Sequence, residues 1–239
     1  MPTTLKKRYP LRAIRTILVV VGSVTTVLGT ATAAAADSTS SESAAHIFKT
    51  AVKDSSGAGS FTVSGTVDQP KMDLTLDLSL SASGISEGSL VINGEHVQIR
   101  RIDGIGYFKG DVAFWTNNAS AAAAQEFAGK WIYAPIRNSL FSGLRSFLSP
   151  RTFVQAFFGS DQGPFTKKGL TKIDGTRVVG VMADGPGTMF VAESGSPYIV
   201  GVQGSQGSSS GSLQFSAYGK VVHAVKPVGA VNLGALETA

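Results

Sequence analysis

Two stretches of the 239-residue chain match the Gly-x-Ser-x-Gly pattern of serine hydrolases. They are residues 84–88, centred on Ser86, and residues 207–211, centred on Ser209. In that chemistry the serine stands on a strained turn between a strand and a helix. A predicted strand follows the first match, and the second lies in a Gly- and Ser-rich stretch. We therefore predict no catalytic residue and no enzymatic activity.

Metal chemistry has equally little support in the sequence. His46, His96 and His223 occur singly, without a partner at the spacing of metal ligands, and the chain has no cysteine. Asp73 and Asp77 alternate with apolar residues, which is the pattern of a solvated strand face. We expect no metal site and no cofactor.

The first 36 residues have the composition of a secretory signal peptide. Five basic residues precede an apolar stretch, residues 17–28, and small residues lead up to Ala36. We predict cleavage after Ala36, with an uncleaved membrane anchor as the alternative because residues 16–36 carry no charge. Cleavage removes five of the 21 Lys and Arg residues and none of the 16 Asp and Glu residues. The remaining chain is formally neutral, which argues against nucleic-acid binding.

The strongest structural pattern is the alternation of apolar and polar residues over residues 72–82. A period of two predicts a β-strand with one apolar face. At ~3.3 Å per residue the strand would reach roughly 36 Å, which favours a large curved antiparallel sheet. Asn93-Gly94, between two further alternating runs, is a type I′ hairpin signature.

Other parts of the chain repeat this rhythm. Further turn pairs occur at Asp103-Gly104, at Asp174-Gly175 and in residues 184–187. The remaining predicted strands are residues 61–67, 106–109, 131–134, 177–182, 188–192, 198–202, 213–217 and 220–225. Residues 203–212, nearly all Gly, Ser and Gln, predict a mobile hairpin loop.

Helical patterns occur at the beginning and in the middle of the chain. The spacing of apolar residues predicts helices over residues 44–55 and 140–148, and Asn117 is a candidate cap for an Ala-rich helix through residue 128. Ser149 and Pro150 predict the start of another helix that ends at Gly159. We therefore predict an α+β fold, with a flexible tether over residues 37–43 and a single domain over residues 44–239.

Residues 127–159 contain no acidic residue. The basic residues there, Lys130, Arg137, Arg145 and Arg151, are candidates for contact with a membrane of anionic lipid. The alternative is that the apolar residues of this stretch are ordinary core that plugs a curved sheet, and that the arginines are merely solvated.

The order of these elements, together with short local motifs, resembles the actinobacterial LppX/LprG-type lipoproteins, whose fold is similar to that of the carriers LolA and LolB. The motifs are residues 88–94, 106–109, 130–135, 170–175, 196–200 and 215–219, followed by Pro227. The resemblance implies a half-open β-barrel, closed by helices around an apolar cavity that holds acyl chains, and a role in moving or presenting lipids in the cell envelope. Family members carry a lipidated cysteine at the end of the signal; this chain has none. We therefore expect a soluble protein after cleavage.

Strand parity suggests which residues border such an interior. The ligand-cavity candidates are Leu74, Leu76, Leu78, Leu90, Ile92, Val97, Ile99, Trp131, Tyr133, Phe153 and Phe157. The leading hypothesis is a secreted, monomeric carrier of lipid or glycolipid that makes transient contact with a membrane. The alternative is a secreted structural or interaction protein of the same fold with a filled core and no ligand.

Overall fold

The computed structural model describes residues 38–160, 163–183, 187–207 and 209–232. The predicted signal peptide and its cleavage site after Ala36 lie outside these residues. Within them, no helix is both long and apolar enough to cross a bilayer.

In the described residues, twelve strands form one sheet in the order β12-β6-β5-β4-β3-β2-β1-β11-β10-β9-β8-β7. Neighbouring strands pair antiparallel, except that β12 runs parallel to β6. The two edges are β12 and β7, so the sheet is not closed. The strands are β1 (Ser60–Gln69), β2 (Met72–Ser81), β3 (Ser86–Ile92), β4 (Glu95–Ile102), β5 (Ile105–Gly110), β6 (Ile132–Pro135), β7 (Thr166–Ile173), β8 (Thr176–Met182), β9 (Gly187–Ala192), β10 (Ile199–Gln206), β11 (Ser209–Ser216) and β12 (Val231–Asn232).

Four α-helices accompany the sheet. They are α1 (Ala44–Gly57), α2 (Val112–Asn118), α3 (Ala121–Phe127) and α4 (Pro150–Phe158). The predicted single helix over residues 117–128 is in fact two helices, because the side chains of Asp111 and Ser120 each cap a separate N-terminus. The cap predicted at Asn117 is therefore wrong, whereas the predicted cap at Ser149 is confirmed.

The helix predicted over residues 140–148 is also wrong. Two short 3-10 turns, Ser139–Phe141 and Arg145–Phe147, take its place. The stretch is rich in Ser, Gly and Phe, which stabilise an α-helix poorly. Its apolar side chains are therefore carried by the tighter 3-10 turns.

Hairpin turns follow the sequence closely. Asn93, Asp103 and Asp174 have φ values of 50°, 51° and 46°, and the glycine after each also has a positive φ. This is the geometry of a type I′ turn, and it confirms these three predicted hairpins.

One loop prediction and one strand prediction need correction, and one strand was not predicted. Residues 203–212 are not a loop, because β10 and β11 pair as far as Gln206 and Ser209. Residues 220–225 form no strand; they belong to a segment that leads from β11 to β12, with Val221 and Val225 exposed. The edge strand β7 has no apolar alternation, and its residues are almost all exposed.

The predicted flexible tether is held against the sheet over residues 38–43. The backbone amide and hydroxyl of Ser40 donate to the Glu193 carboxylate at 3.0 and 2.6 Å. Lys167 Nζ donates to the carbonyl oxygens of Ser40 and Glu42 at 2.7 and 2.8 Å. These bonds fix the chain immediately before α1.

The α+β class predicted from the sequence is confirmed. It is built as one large, open and mainly antiparallel sheet, with helices inserted in the middle of the chain.

Candidate functional site

One face of the sheet, here called the inner face, carries the buried side chains of the strands. Strand register places Leu76, Leu90 and Val97 side by side on β2, β3 and β4. The next row contains Leu78 and Ile99, with Phe108 beside them on β5. The apolar face predicted from the alternation in β2 therefore continues across at least four strands.

Most of the predicted cavity residues lie on or against this face. Seven of them are at most 2% exposed: Leu74, Leu76, Leu78, Leu90, Val97, Ile99 and Phe153. Ile92 and Phe157 are half-buried and pack against the same core.

Trp131 and Tyr133 do not belong to this group. On β6, Ile132 and Ala134 point inward and are fully buried, so Tyr133 lies on the opposite, outer face. The Tyr133 ring packs against Tyr107 with 5.7 Å between centroids. Trp131 also lies on the outer side, where the Arg100 guanidinium stands 4.8 Å from its ring centroid. Strand parity places both side chains on the outer face, which corrects their prediction as cavity residues.

The middle of the inner face is covered by residues 139–158, here called the plug. It consists of the two 3-10 turns and α4. Its aromatic rings contact rings of the sheet: Phe141 lies 5.7 Å from Phe108, and Phe153 lies 6.1 Å from Phe61 and 6.0 Å from Phe215.

The plug has few polar bonds to the sheet. Among the backbone hydrogen bonds of the described residues, none joins residues 139–158 to a strand. Two side chains of the sheet, Ser86 and Arg101, both donate to one plug carbonyl, that of Leu148, at 3.1 and 3.3 Å. The plug is therefore held on the sheet chiefly by apolar packing.

In this conformation protein side chains, those of the plug among them, fill the space that a ligand would need. A side chain that borders an empty cavity keeps surface that a water-sized sphere can touch, yet the seven residues above are at most 2% exposed. They are covered by protein atoms on all sides. The acyl-sized cavity stays a prediction, and it requires the plug to move.

An open groove lies beside the plug, between α1 and α4. It has a volume of about 880 Å³, and Phe48, Val52 and Phe158 contribute apolar surface to it. Three cationic residues, Lys49, Lys53 and Arg151, line it together with a single carboxylate, Asp54. The groove thus combines an apolar wall with a net positive charge.

The four predicted membrane-contact residues are all exposed, but they do not form one patch. Lys130 and Arg137 flank β6 at opposite ends, roughly 20 Å apart at ~3.3 Å per residue. Arg145 Nη2 donates to the carbonyl of Arg137 at 2.7 Å, so these two residues lie together. Arg151 lines the groove instead, beside two lysines of α1 that the sequence analysis did not select.

Ser86 does not have the surroundings of a hydrolase nucleophile. It is the first residue of β3, is 1% exposed, and accepts a hydrogen bond from the Ser81 amide at 3.2 Å. A strand follows it, not a helix. Among the described residues there is also no group of three or more His, Asp or Glu side chains that could hold a metal ion.

Comparison with protein-family models and with curated proteins finds no match. Solved structures with a similar fold include two mycobacterial proteins. The structure of LprF from Mycobacterium bovis superposes with a TM-score of 0.54 and 14% identity, covering 78% of this chain and 97% of that one. The structure of the Mycobacterium tuberculosis lipoprotein LppX superposes with a TM-score of 0.50 and 16% identity, covering 75% and 97%. The expected LppX/LprG-type architecture is therefore confirmed, and the chain has the fold of these mycobacterial proteins.

Proposed function

We propose that this protein is a non-enzymatic carrier of lipids or glycolipids in the cell envelope. In this proposal the acyl chains of the ligand lie against the inner face of the sheet after the plug has moved aside. The observation that carries the proposal is the attachment of the plug, which has apolar packing and one shared carbonyl but no backbone bond to a strand.

A lipid would offset the burial that the plug rings give up in such an exchange, while Leu144, Leu148 and Val154 of the plug are buried as well. A buried phenylalanine side chain contributes about 1.5–3 kcal/mol, and each buried methylene of an acyl chain about 0.8 kcal/mol. One chain of about sixteen carbons therefore offsets the burial of roughly five phenylalanines. The plug carries five, Phe141, Phe147, Phe153, Phe157 and Phe158. Displacing the plug rings with a lipid exchanges one apolar covering for another.

The groove between α1 and α4 is the proposed route of access. It borders the plug through Phe158 of α4, and its volume is within the range of small-molecule sites. Its cationic side chains favour a lipid that carries a negative charge. The same positive charge supports transient contact with an anionic membrane surface during loading or release.

The proposed location follows from the N-terminal sequence. Cleavage after Ala36 would release the remaining chain outside the cytoplasm, and the absence of cysteine leaves no thiol for a lipid anchor. We propose that the protein acts there as a soluble monomer with a lipid ligand and no nucleic-acid partner.

A second candidate function rests on the burial of the seven predicted cavity residues that are at most 2% exposed. If the plug never moves, the protein is a structural or interaction protein with a filled core. The two candidates differ in one measurable property, which is the presence of bound lipid.

Solvent extraction of the natively purified protein, followed by mass spectrometry, tests the proposal. We expect a lipid in stoichiometric amount, and rebinding of a fluorescent fatty acid by the delipidated protein. An unrelated secreted β-sheet protein purified from the same host serves as the control for lipid carried along by chance. A lipid-free protein that also ignores the fatty acid would establish the filled-core alternative.

A further inference from the structure

One row of the inner face is polar. Strand pairing sets Ser86 beside Arg101, and Arg101 beside Gly106, at the ends of β3, β4 and β5. Arg101 follows Val97 and Ile99 at a spacing of two residues, so its side chain shares the inner face with those two apolar side chains. A cation therefore lies at the margin of the otherwise apolar surface.

Among the residues that the structure describes, the guanidinium of Arg101 has no acidic partner. Nη1 donates to the Leu148 carbonyl at 3.3 Å, whereas Nε is buried and has no hydrogen-bond partner in the same residues. Within the described part of the chain, the salt bridges are Arg100 with Glu87 and His46 with Glu42, and neither includes Arg101.

The neighbouring arginine shows the opposite situation. On the outer face, Arg100 Nε lies 3.4 Å from the Glu87 carboxylate, and Nη1 donates to the Val225 carbonyl at 2.7 Å. Its guanidinium also stacks over Trp131. Two consecutive residues of β4 thus carry the same charge, and the one without an acidic partner faces inward.

A buried donor of a charged group that lacks a partner is costly, and natural structures rarely leave one without a purpose. The planar guanidinium offers paired N–H groups that match the oxygens of a phosphate or carboxylate. The Ser86 hydroxyl adds a third donor, because it points to the same Leu148 carbonyl.

From this arrangement we infer that Arg101 and Ser86 bind the anionic head group, phosphate or carboxylate, of a lipid whose acyl chains lie along the inner face. The inference rests on the proposed carrier function and deepens it by naming the ligand class. In the closed form the Leu148 carbonyl occupies the position of the head group.

The arrangement also couples binding to opening. A charged phosphate or carboxylate is a stronger acceptor for a guanidinium than a neutral carbonyl. When the head group takes both donors, the plug loses its two side-chain bonds to the sheet at Leu148. Binding of the anion therefore frees the plug at the moment when the acyl chains need its place.

The test measures uptake from vesicles of equimolar phosphatidylglycerol and phosphatidylcholine with identical acyl chains. The delipidated protein is separated from the vesicles and its bound lipid is quantified. We expect wild type to prefer phosphatidylglycerol by at least about tenfold, the lower end of what a hydrogen bond to a charged group contributes. Arg101→Met should reduce the preference to what the cationic groove alone provides, Arg101→Lys should keep more of it, and Arg100→Met, the matched control, should leave it unchanged.

A second variant guards against misfolding of Arg101→Met. Ser86→Ala removes one donor but no charge, and it should lower the preference by a few-fold while the circular dichroism spectrum stays that of wild type. Equal uptake of both lipids by wild type, or a preference of the same size in Arg101→Met as in wild type, would overturn the head-group site while leaving the carrier function intact. Uptake of neither lipid would overturn the carrier function itself.

Inorganic phosphate separates a lipid site from a site for free anions. Phosphate alone should leave the melting temperature of the delipidated protein unchanged, because without acyl chains nothing replaces the plug. If phosphate raises the melting temperature of wild type but not that of Arg101→Met, the site binds free phosphate. That result would overturn the lipid assignment.

Discussion

The ring of Phe141 lies directly on Gly106. A β-carbon at Gly106 would stand 2.6 Å from Cζ of that ring, closer than unbonded carbons can approach. Gly106 is an inner-face residue of β5, and Phe141 belongs to the plug. Because Gly106 has no side chain, the Phe141 ring of the plug can lie directly on β5 at this position.

The variant Gly106→Ala should loosen the plug. The added methyl forces Phe141 outward, and overpacking of this kind costs about 1–3 kcal/mol of unfolding free energy. Urea denaturation measures the loss. Gly169→Ala is the matched control, because nothing lies within 4 Å of a β-carbon at that position. Equal stability of Gly106→Ala and wild type would show that the ring does not rest on this residue in solution.

Opening of the plug should be visible through an introduced thiol. The natural chain has no cysteine, so in Leu144→Cys every reaction with a maleimide reports residue 144, whose leucine is 2% exposed. We expect the labelling rate to rise on addition of phosphatidylglycerol and in combination with Gly106→Ala. Ala123→Cys, on α3 outside the plug, should keep its slow rate in both cases. If lipid leaves the maleimide labelling rate at residue 144 unchanged, the result would contradict a moving plug.

Helix α1 is tied to the sheet through Tyr218. Its hydroxyl donates to the Ile199 carbonyl at 2.8 Å and lies 3.3 Å from Ser55 Oγ of α1, and its ring stacks on Tyr198. Tyr218→Phe should lower the unfolding free energy by about 1 kcal/mol because it removes these bonds. Tyr198→Phe is the control that keeps the stack. Equal losses in the two variants would show that the effect does not come from the hydrogen bonds of the Tyr218 hydroxyl.

Tyr218 also predicts that the stability of the protein depends on pH in the alkaline range. Burial raises the pKa of the Tyr218 hydroxyl above that of an unfolded tyrosine. The folded state thus holds this proton more tightly than the unfolded chain. The contribution to stability is fully present below pH ~10 and is lost as the pH rises toward the raised pKa. Stability of Tyr218→Phe should fall less steeply over that interval than stability of wild type.

Two carboxylates face each other near the turn between β1 and β2. Asp68 pairs directly with Asp73, and the hydrogen bond that the protonated Asp68 carboxyl donates to Asp73, together with the negative charge of Asp73, raises the pKa of Asp68. A raised pKa gives a contribution that is present in acid and lost as the pH rises through it. Asp68→Asn should therefore match wild type in acid and exceed its stability at neutral pH. Asp77→Asn, which faces Ser64 and Ser89, is the control. A gain of the same size in acid would refute the pairing.

The sequence predicted the parts of the fold that depend on local patterns. Alternation in β2 and the Asn-Gly and Asp-Gly turns predicted central strands and the turns between them, because side-chain parity and a positive φ are local properties. The strand β7 was missed for the converse reason. It is an exposed edge, so its residues carry no apolar period, and only pairing with β8 defines it.

The error on Trp131 and Tyr133 has a structural cause. Large aromatic side chains are ordinarily assigned to the interior, and the smaller Ile132 and Ala134 between them to the outside. Strand pairing sets Ala134 beside Gly106, where the plug ring of Phe141 already fills the inner space. Only small residues fit on β6 at that point, so the aromatic side chains face outward. The contact between Gly106 and Phe141, two residues far apart in the chain, decided which side chains of β6 face inward. The local sequence of β6 does not contain this contact.

The head-group site was also beyond the reach of sequence reasoning. Arg100 and Arg101 are adjacent and identical in type, and nothing in the local sequence says which one has an acidic partner. The distinction arises from strand register, which places Glu87 beside Arg100 and Ser86 beside Arg101. The only signal in the sequence was the position of Arg101 two residues after Ile99.

The two tryptophans allow the most direct test of the proposed ligand position, because they lie on opposite faces of the sheet. Trp115 is 1% exposed in the inner core, where its ring lies 5.5 Å from Phe108, and Trp131 lies on the outer face. Lipid with brominated acyl chains quenches a tryptophan that it contacts. In Trp131→Phe, which retains only Trp115, brominated phosphatidylglycerol should quench the fluorescence strongly, whereas in Trp115→Phe the emission of Trp131 should stay unchanged. If lipid binds and quenches Trp131 but not Trp115, the acyl chains lie on the outer face of the sheet. That result would contradict the account.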